Sequence, residues 1–277
     1  MADCIDAHHH LWRYKPEELP WISDAMDVLQ RNYELKDLSA VAAAAGVTGA
    51  VAVEARQIIE ETEWLLDLAE ESELICGVVG WAPLIDADVE KYLAEISRRS
   101  KLKGLRHVLH DEADDNYILR KDFNRGINAL RQFGLRYDIL IFERHLPQTI
   151  KFVDQHPNQM FILDHIAKPR IRDGVTQPWG KNLRELARRE NVYCKLSGVV
   201  TEANWKQWSE PDLKPYIDTV LDCFGAQRLM FGSDWPVLNV ASNYVRWLEI
   251  VKSAIADLTT AEQTRILAGT AVEAYRI

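Results

Sequence analysis

The chain has 277 residues, 47% hydrophobic and 27% charged, so it is long enough to bury a sizeable core and fits one large α/β domain over residues 1–277. A formal net charge of −9 argues against nucleic acid, whose phosphates need a basic face, and favours a small-molecule partner. Four scattered cysteines (Cys4, Cys76, Cys194, Cys223) lack metal-ribbon or disulfide-framework spacing and read as reduced thiols.

The start of the chain carries Asp3 and Asp6 in place of a basic, apolar leader, and no apolar run has the length of a membrane span. A cytoplasmic protein with no membrane partner is expected. Oligomeric state leaves no trace in the sequence.

The first strand-like run ends in Asp6-Ala7-His8-His9-His10. In a strand, residues two apart share a face, so His8 and His10 look into one space and His9 looks away. Residues 11–32, with Trp12, Tyr14, Pro16, Pro20 and Trp21, are too irregular for a helix and read as a long loop beside the histidines. Residues 35–45 are alanine-rich and helical, stopped by Gly46. Residues 47–54 form the second strand, with Glu54 and Arg56 at its carboxyl end.

Residues 60–73 carry acidic side chains in the first turn and Trp64, Leu65 and Leu68 at helical spacing, which predicts an amphipathic crossover helix. The third strand covers 74–81. A helix capped by Asp86 leads to a fourth strand beginning at Gly104-Leu105-Arg106-His107, and another helix covers 122–132. Residues 137–142 are continuously apolar, as in a parallel strand covered on both faces, and end in Glu143-Arg144.

The pattern continues with a helix at 147–156, a sixth strand at 160–164 ending in His165, and a helix at 179–189. A seventh strand at 192–196 runs into Ser197-Gly198. A helix at 211–224 precedes an eighth strand at 228–231, which runs into Gly232-Ser233-Asp234-Trp235-Pro236; helices at 244–256 and 261–275 finish the chain. Eight strands alternating with helices over this length predict a (β/α)8 TIM barrel. The rival, an open doubly wound sheet, predicts a glycine-rich phosphate turn, and neither GxGxxG nor GxxxxGK[ST] occurs. In a barrel the polar residues named above fall near strand carboxyl ends, the face on which active sites are built.

Four motifs appear in order: Asp6-x-His8-x-His10 with Trp12, Leu163-Asp164-His165, Cys194-Lys195-Leu196-Ser197-Gly198 and Phe231-Gly232-Ser233-Asp234-Trp235-Pro236. Together they resemble the amidohydrolase superfamily, in the branch that hydrolyses sugar lactones with one metal or none. The runs Arg106 to Asp114 and Phe142 to Pro147 look most like the L-fuconolactone and L-rhamnonolactone hydrolase group. The fourth strand offers no bridging lysine, since Lys101 and Lys103 precede its expected start, so a carboxylated lysine holding two metals is not expected. At most, His8, His10, His165 and Asp234 hold one divalent ion, zinc being the first choice, and the resemblance implies that activity does not strictly require it.

Asp234 is the expected catalytic carboxylate, taking a proton from water and returning it to the leaving oxygen; as a bland alternative it caps a turn. His8, His10 and His165 join it as catalytic candidates or as a hydrogen-bonded polar corner. Arg56, Arg106 and Arg144 can hold the lactone carbonyl and stabilise an oxyanion, or they pair at the surface. His107 can share that task. Trp81 and Trp235, like Trp12 and Trp21, can stack on a sugar ring or simply pack, and Lys195 is open between a ligand contact and an ion pair. Lactone hydrolysis is the favoured reaction, and no GxSxG nucleophile elbow is present. A zinc-dependent decarboxylase of the same superfamily and a non-catalytic ligand-binding barrel are the alternatives.

Overall fold

The computed structural model describes residues 4–277 and contains eight parallel strands paired in chain order. These are β1 (Ile5–His9), β2 (Gly49–Val53), β3 (Ile75–Gly80), β4 (Leu102–Val108), β5 (Arg136–Leu140), β6 (Phe161–Leu163), β7 (Val192–Leu196) and β8 (Leu229–Phe231). At the seam between β8 and β1, the Asp234 N–H donates to the His8 carbonyl at 2.8 Å and the His10 N–H to the Trp235 carbonyl at 2.7 Å. The sheet is thus a nearly closed (β/α)8 barrel, as the alternation predicts.

The covering helices are α1 (Leu35–Ala45), α2 (Ile59–Glu70), α3 (Val89–Ile96), α4 (Lys121–Leu130), α5 (Leu146–Gln155), α6 (Trp179–Ala187), α7 (Glu210–Arg228) and α8 (Tyr244–Ala254). Strands buried on both faces must be apolar on both, which explains runs such as Gly49-Ala-Val-Ala-Val53, buried throughout. One set of strand side chains, including Ile5, Val51, Val79, Ile162 and Met230, fills the barrel interior. Another, including Val78, Leu105 and Leu163, packs outward on Leu65, Leu93, Ile127 and Leu183 of the helices. Among the described residues no helix is long and apolar enough to cross a membrane, and all four cysteines are free.

Three local features depart from the predicted pattern. β1 slips against β2 so that Asp6 pairs Ala50 while His9 pairs Ala52, a bulge that re-aims the histidines. β4 starts at Leu102 and so includes Lys103. That lysine sits at the opposite end from the site, its Nζ donating to the Arg276 carbonyl at 3.3 Å. The helix predicted over 261–275 is instead α9 (Thr260–Thr264), a π turn over Arg265–Gly269 and α10 (Thr270–Tyr275). Ala268, Ala271, Ala274 and Tyr275 from this segment join the interior cluster and close the barrel floor; three alanines let the helix come close.

Candidate active site

The residues at the carboxyl ends of β1, β6 and β8 converge. His8 and His10 Nε2 atoms are 3.1 Å apart, and Asp234 Oδ1 lies 3.5 Å from His10 Nε2 and 3.8 Å from both His8 Nε2 and His165 Nε2. Local backbone geometry sets this up. Asp234 has φ of 59°, a left-handed conformation rare outside glycine that turns its side chain back toward β1. Asp6, behind the seam, accepts from Ser233 N–H (2.7 Å), Ser233 Oγ–H (2.6 Å), His8 N–H (3.1 Å) and Tyr244 Oη–H (2.8 Å). It clamps β1 to the loop that carries Asp234. His165 opens a run of left-handed residues and is fixed by a 2.9 Å hydrogen bond between Nδ1 and Ser197 Oγ.

Hydrogen-bond partners assign the His10 tautomer. His10 Nδ1 is 2.8 Å from the Val53 carbonyl, which only accepts, so Nδ1 carries the proton and Nε2 is free to accept. His8 has a donor and an acceptor at each nitrogen, Lys195 Nζ (3.1 Å) and Asp164 Oδ1 (3.3 Å) at Nδ1, Arg106 Nη1 (3.3 Å) and His10 Nε2 (3.1 Å) at Nε2, so its surroundings accommodate a proton on either nitrogen. Burial first, then Lys195 and the surrounding cations, push the His8 imidazole well below its usual range and keep it neutral. Burial, then His8 and Lys168, does the same to His165.

Beneath the imidazoles lies a buried charge network. Arg106 donates from Nε to Glu54 Oε1 (2.8 Å), from Nη1 to Asp164 Oδ2 (3.1 Å) and from Nη2 to the Glu54 carbonyl. Lys195 pairs with Asp138 Oδ2 at 2.5 Å and Asp164 Oδ1 at 3.0 Å, and Tyr275 Oη–H donates to Asp138 at 2.6 Å. Burial raises the Asp164 carboxyl, but Lys195 and Arg106 outweigh it and hold that carboxyl below its usual range.

A cleft of about 990 Å³ opens above this floor, and His10, His165, Asp234, Arg106 and Arg56 line it. Arg56 is held by Glu18 and Glu61. Five other residues that the sequence offered for the substrate do not line the cleft. Trp81 Nε1–H donates to His107 Nδ1 at 3.2 Å, and His107 turns to Glu112 Oε1 at 2.7 Å and stacks on Tyr117, so both are taken up behind the wall. Arg144 lies at the surface, pairing with Asp115 and covering the Phe142 ring. Trp235 is buried edge-on against Tyr33. Lys195, with no exposure, lies one layer below the floor. Trp12 packs into the core against Tyr33 and Trp21, and Trp21 reaches the cleft.

The cleft also takes residues that the sequence did not assign to the site: Lys168, Glu202, Trp205, Phe142 and His110. Lys168 follows His165 by three positions, a spacing that puts the two on opposite faces of a regular strand. Only the left-handed backbone brings them together, and no sequence pattern announces it.

The donors suit a divalent ion. Zinc bonds nitrogen and oxygen at about 2.0–2.1 Å in tetrahedral sites, which spaces ligand atoms about 3.3 Å apart, close to the 3.1 Å and 3.5 Å found among His8, His10 and Asp234. His8 offers Nε2 when its proton is on Nδ1, from which it can donate to Asp164 Oδ1 at 3.3 Å. A second group, His8, Asp164 and His165, is also close enough, but Asp164 is already committed to Arg106 and Lys195.

A family model described as amidohydrolase matches residues 5–277, nearly the whole chain. The chain belongs to the amidohydrolase family. Among the relatives of this amidohydrolase is an L-fucono-1,5-lactonase of Burkholderia multivorans, 39% identical over 284 residues that span 99% of this chain and 96% of the relative. An L-fucono-1,5-lactonase of Burkholderia ambifaria is 35% identical, spanning 100% and 97%. A crystal structure of a Burkholderia multivorans amidohydrolase with bound zinc superposes with a TM-score of 0.96 at 39% identity, covering all of both chains. The fit of His8, His10 and Asp234 to a divalent ion, zinc above all, agrees with that relative.

Proposed function

We propose that this amidohydrolase opens sugar lactones of the L-fucono-1,5-lactone type to the free aldonic acids. Full-length similarity to two L-fucono-1,5-lactonases carries the reading, and the cleft supplies chemistry for it. Asp234, beside three imidazoles at the cleft floor, takes a proton from water as the water oxygen bonds to the lactone carbonyl carbon. The carbonyl electron pair moves onto oxygen, where cleft N–H donors stabilise it. As the pair returns, the bond to the ring oxygen breaks and Asp234 passes its proton to that oxygen. The product acid then ionises. Held by His8, His10 and Asp234, with His165 beside them, a divalent ion supplies Lewis-acid polarisation of the carbonyl when bound.

A pH-indicator screen of five- and six-membered aldonolactones, run with metal-stripped and zinc-supplemented protein, tests the reading. Acid release above the spontaneous rate from L-fucono-1,5-lactone is expected in both preparations, and Asp234→Asn should lower kcat by about 10²–10⁴-fold. No release from any sugar lactone overturns the reading.

A further inference from the structure

Three cations line the cleft, and what each already holds decides which can meet a ligand. Arg106 is paired with two buried carboxylates, Glu54 and Asp164, spends one donor from each of its three nitrogens on those two residues, and has Nη1 3.3 Å from His8 Nε2. Arg56 is gripped by Glu18 and Glu61. Lys168 differs: its ammonium has three N–H groups and makes one hydrogen bond, to Glu202 Oε1 at 2.8 Å. Two donors are left for the cleft it shares with His10, His165 and Asp234.

The backbone is strained to put it there. His165, Ile166, Ala167 and Lys168 have φ of 52°, 49°, 64° and 45°, and a left-handed conformation costs a non-glycine residue about 1–2 kcal/mol. The turn is held from within by Lys168 N–H donating to the His165 carbonyl at 2.8 Å. From outside, Trp179 Nε1–H donates to the Ile166 carbonyl at 2.8 Å. Burial works against the charge on Lys168, but Glu202 and Asp234 outweigh it and hold the ammonium above the usual lysine range. The remaining charges on the cleft wall are five carboxylates, Glu17, Glu18, Asp111, Glu202 and Asp234. A developing oxyanion therefore finds one cleft cation, Lys168, whose charge is met by a single carboxylate, whereas Arg56 and Arg106 are each paired with two.

We propose that Lys168 is a substrate-contact residue that donates to the lactone carbonyl oxygen as charge develops there and then holds the carboxylate of the opened acid, with Glu202 positioning it. This rests on the sugar-lactone reading above. The ammonium keeps its proton throughout, so the bond changes are those already described.

The test measures kcat, KM, inhibition by the product aldonate and thermal midpoint for wild type, Lys168→Met, Lys168→Gln, Lys168→Arg and Glu202→Gln. Removing one oxyanion donor costs about 10²–10³ in kcat, and that loss is expected for Lys168→Met, with product inhibition weakened at least tenfold. Lys168→Arg should recover at least tenfold in kcat over Lys168→Met. Glu202→Gln, which leaves the ammonium in place, should lose less than tenfold. If Lys168→Met does not fold, Lys168→Gln carries the test through its product inhibition. A Lys168→Met or Lys168→Gln variant with wild-type kcat and wild-type product inhibition overturns the inference, as does a Glu202→Gln loss equal to that of Lys168→Met, which makes the pair structural. A wild type that opens no sugar lactone overturns both readings, whereas an active wild type matched by the variants overturns only this one.

Discussion

Lys195 has no solvent exposure, yet its Nζ sits 2.5 Å from Asp138, 3.0 Å from Asp164 and 3.1 Å from His8 Nδ1. Such a group contributes less by net attraction than by what its loss exposes, because deleting one partner leaves buried charges uncompensated. Burial raises the Asp138 carboxyl to about 6 against the pull of Lys195; without the lysine that pull is gone. Lys195→Met is therefore expected to cost about 3–5 kcal/mol of stability, read as a lower urea midpoint at pH 7 with an unchanged slope. A midpoint equal to wild type would mean that the network is not held in this form. The sequence placed Lys195 and Ser197 on one strand face but could not tell the two depths apart. Depth decides between ligand contact and ion pair: Ser197 touches His165 at the cleft floor, and Lys195 lies below it.

The elements that carry the site are strands whose ends break their own geometry. The strands themselves were legible, since apolar runs such as 49–53 and 192–196 must be buried on both faces of a parallel sheet. Legible too were the residues at their carboxyl ends, because the barrel topology sends His8, Arg106, His165 and Asp234 to one face. The bulge in β1, the left-handed turn after β6 and the π turn that breaks the last helix where it closes the floor were not legible; each depends on contacts between segments far apart in the chain. Gly198 illustrates this. It has φ of 62°, and a Cβ there would meet His165 Nδ1 at 2.5 Å and Cγ at 2.6 Å, so the imidazole can occupy its position only while residue 198 lacks a side chain. Gly198→Ala should displace His165 and strain the backbone, lowering stability by about 1–3 kcal/mol and kcat by at least tenfold. Thermal melts and lactone kinetics on the same preparation check this, and a variant with wild-type kcat would show that His165 tolerates displacement.

Over the whole molecule, the chain buries imidazoles in neutral form while carrying a net charge of −9. Burial is the leading cause that pushes His8, His9, His107, His110, His156 and His165 below their usual range, with His9 and His110 down to about 3. In the unfolded chain all six titrate near 6.5. Below that pH the unfolded state binds protons that the folded state refuses, so stability must fall as pH falls. Three buried carboxyls act in the opposite sense. Burial raises Asp6, takes Glu54 to about 7 and takes Asp138 to about 6, so these groups take up protons in the fold before they do so unfolded. Their contribution grows on acidification and is lost as pH rises through those folded values. Six imidazoles outweigh three carboxyls, and each unbalanced proton is worth up to about 1.4 kcal/mol per pH unit. The urea midpoint should therefore fall between pH 7 and pH 5, most steeply below about 6.5, where the imidazoles of the unfolded chain begin to charge. A midpoint that stays level or rises over that interval would mean that the barrel admits protons to these histidines without opening.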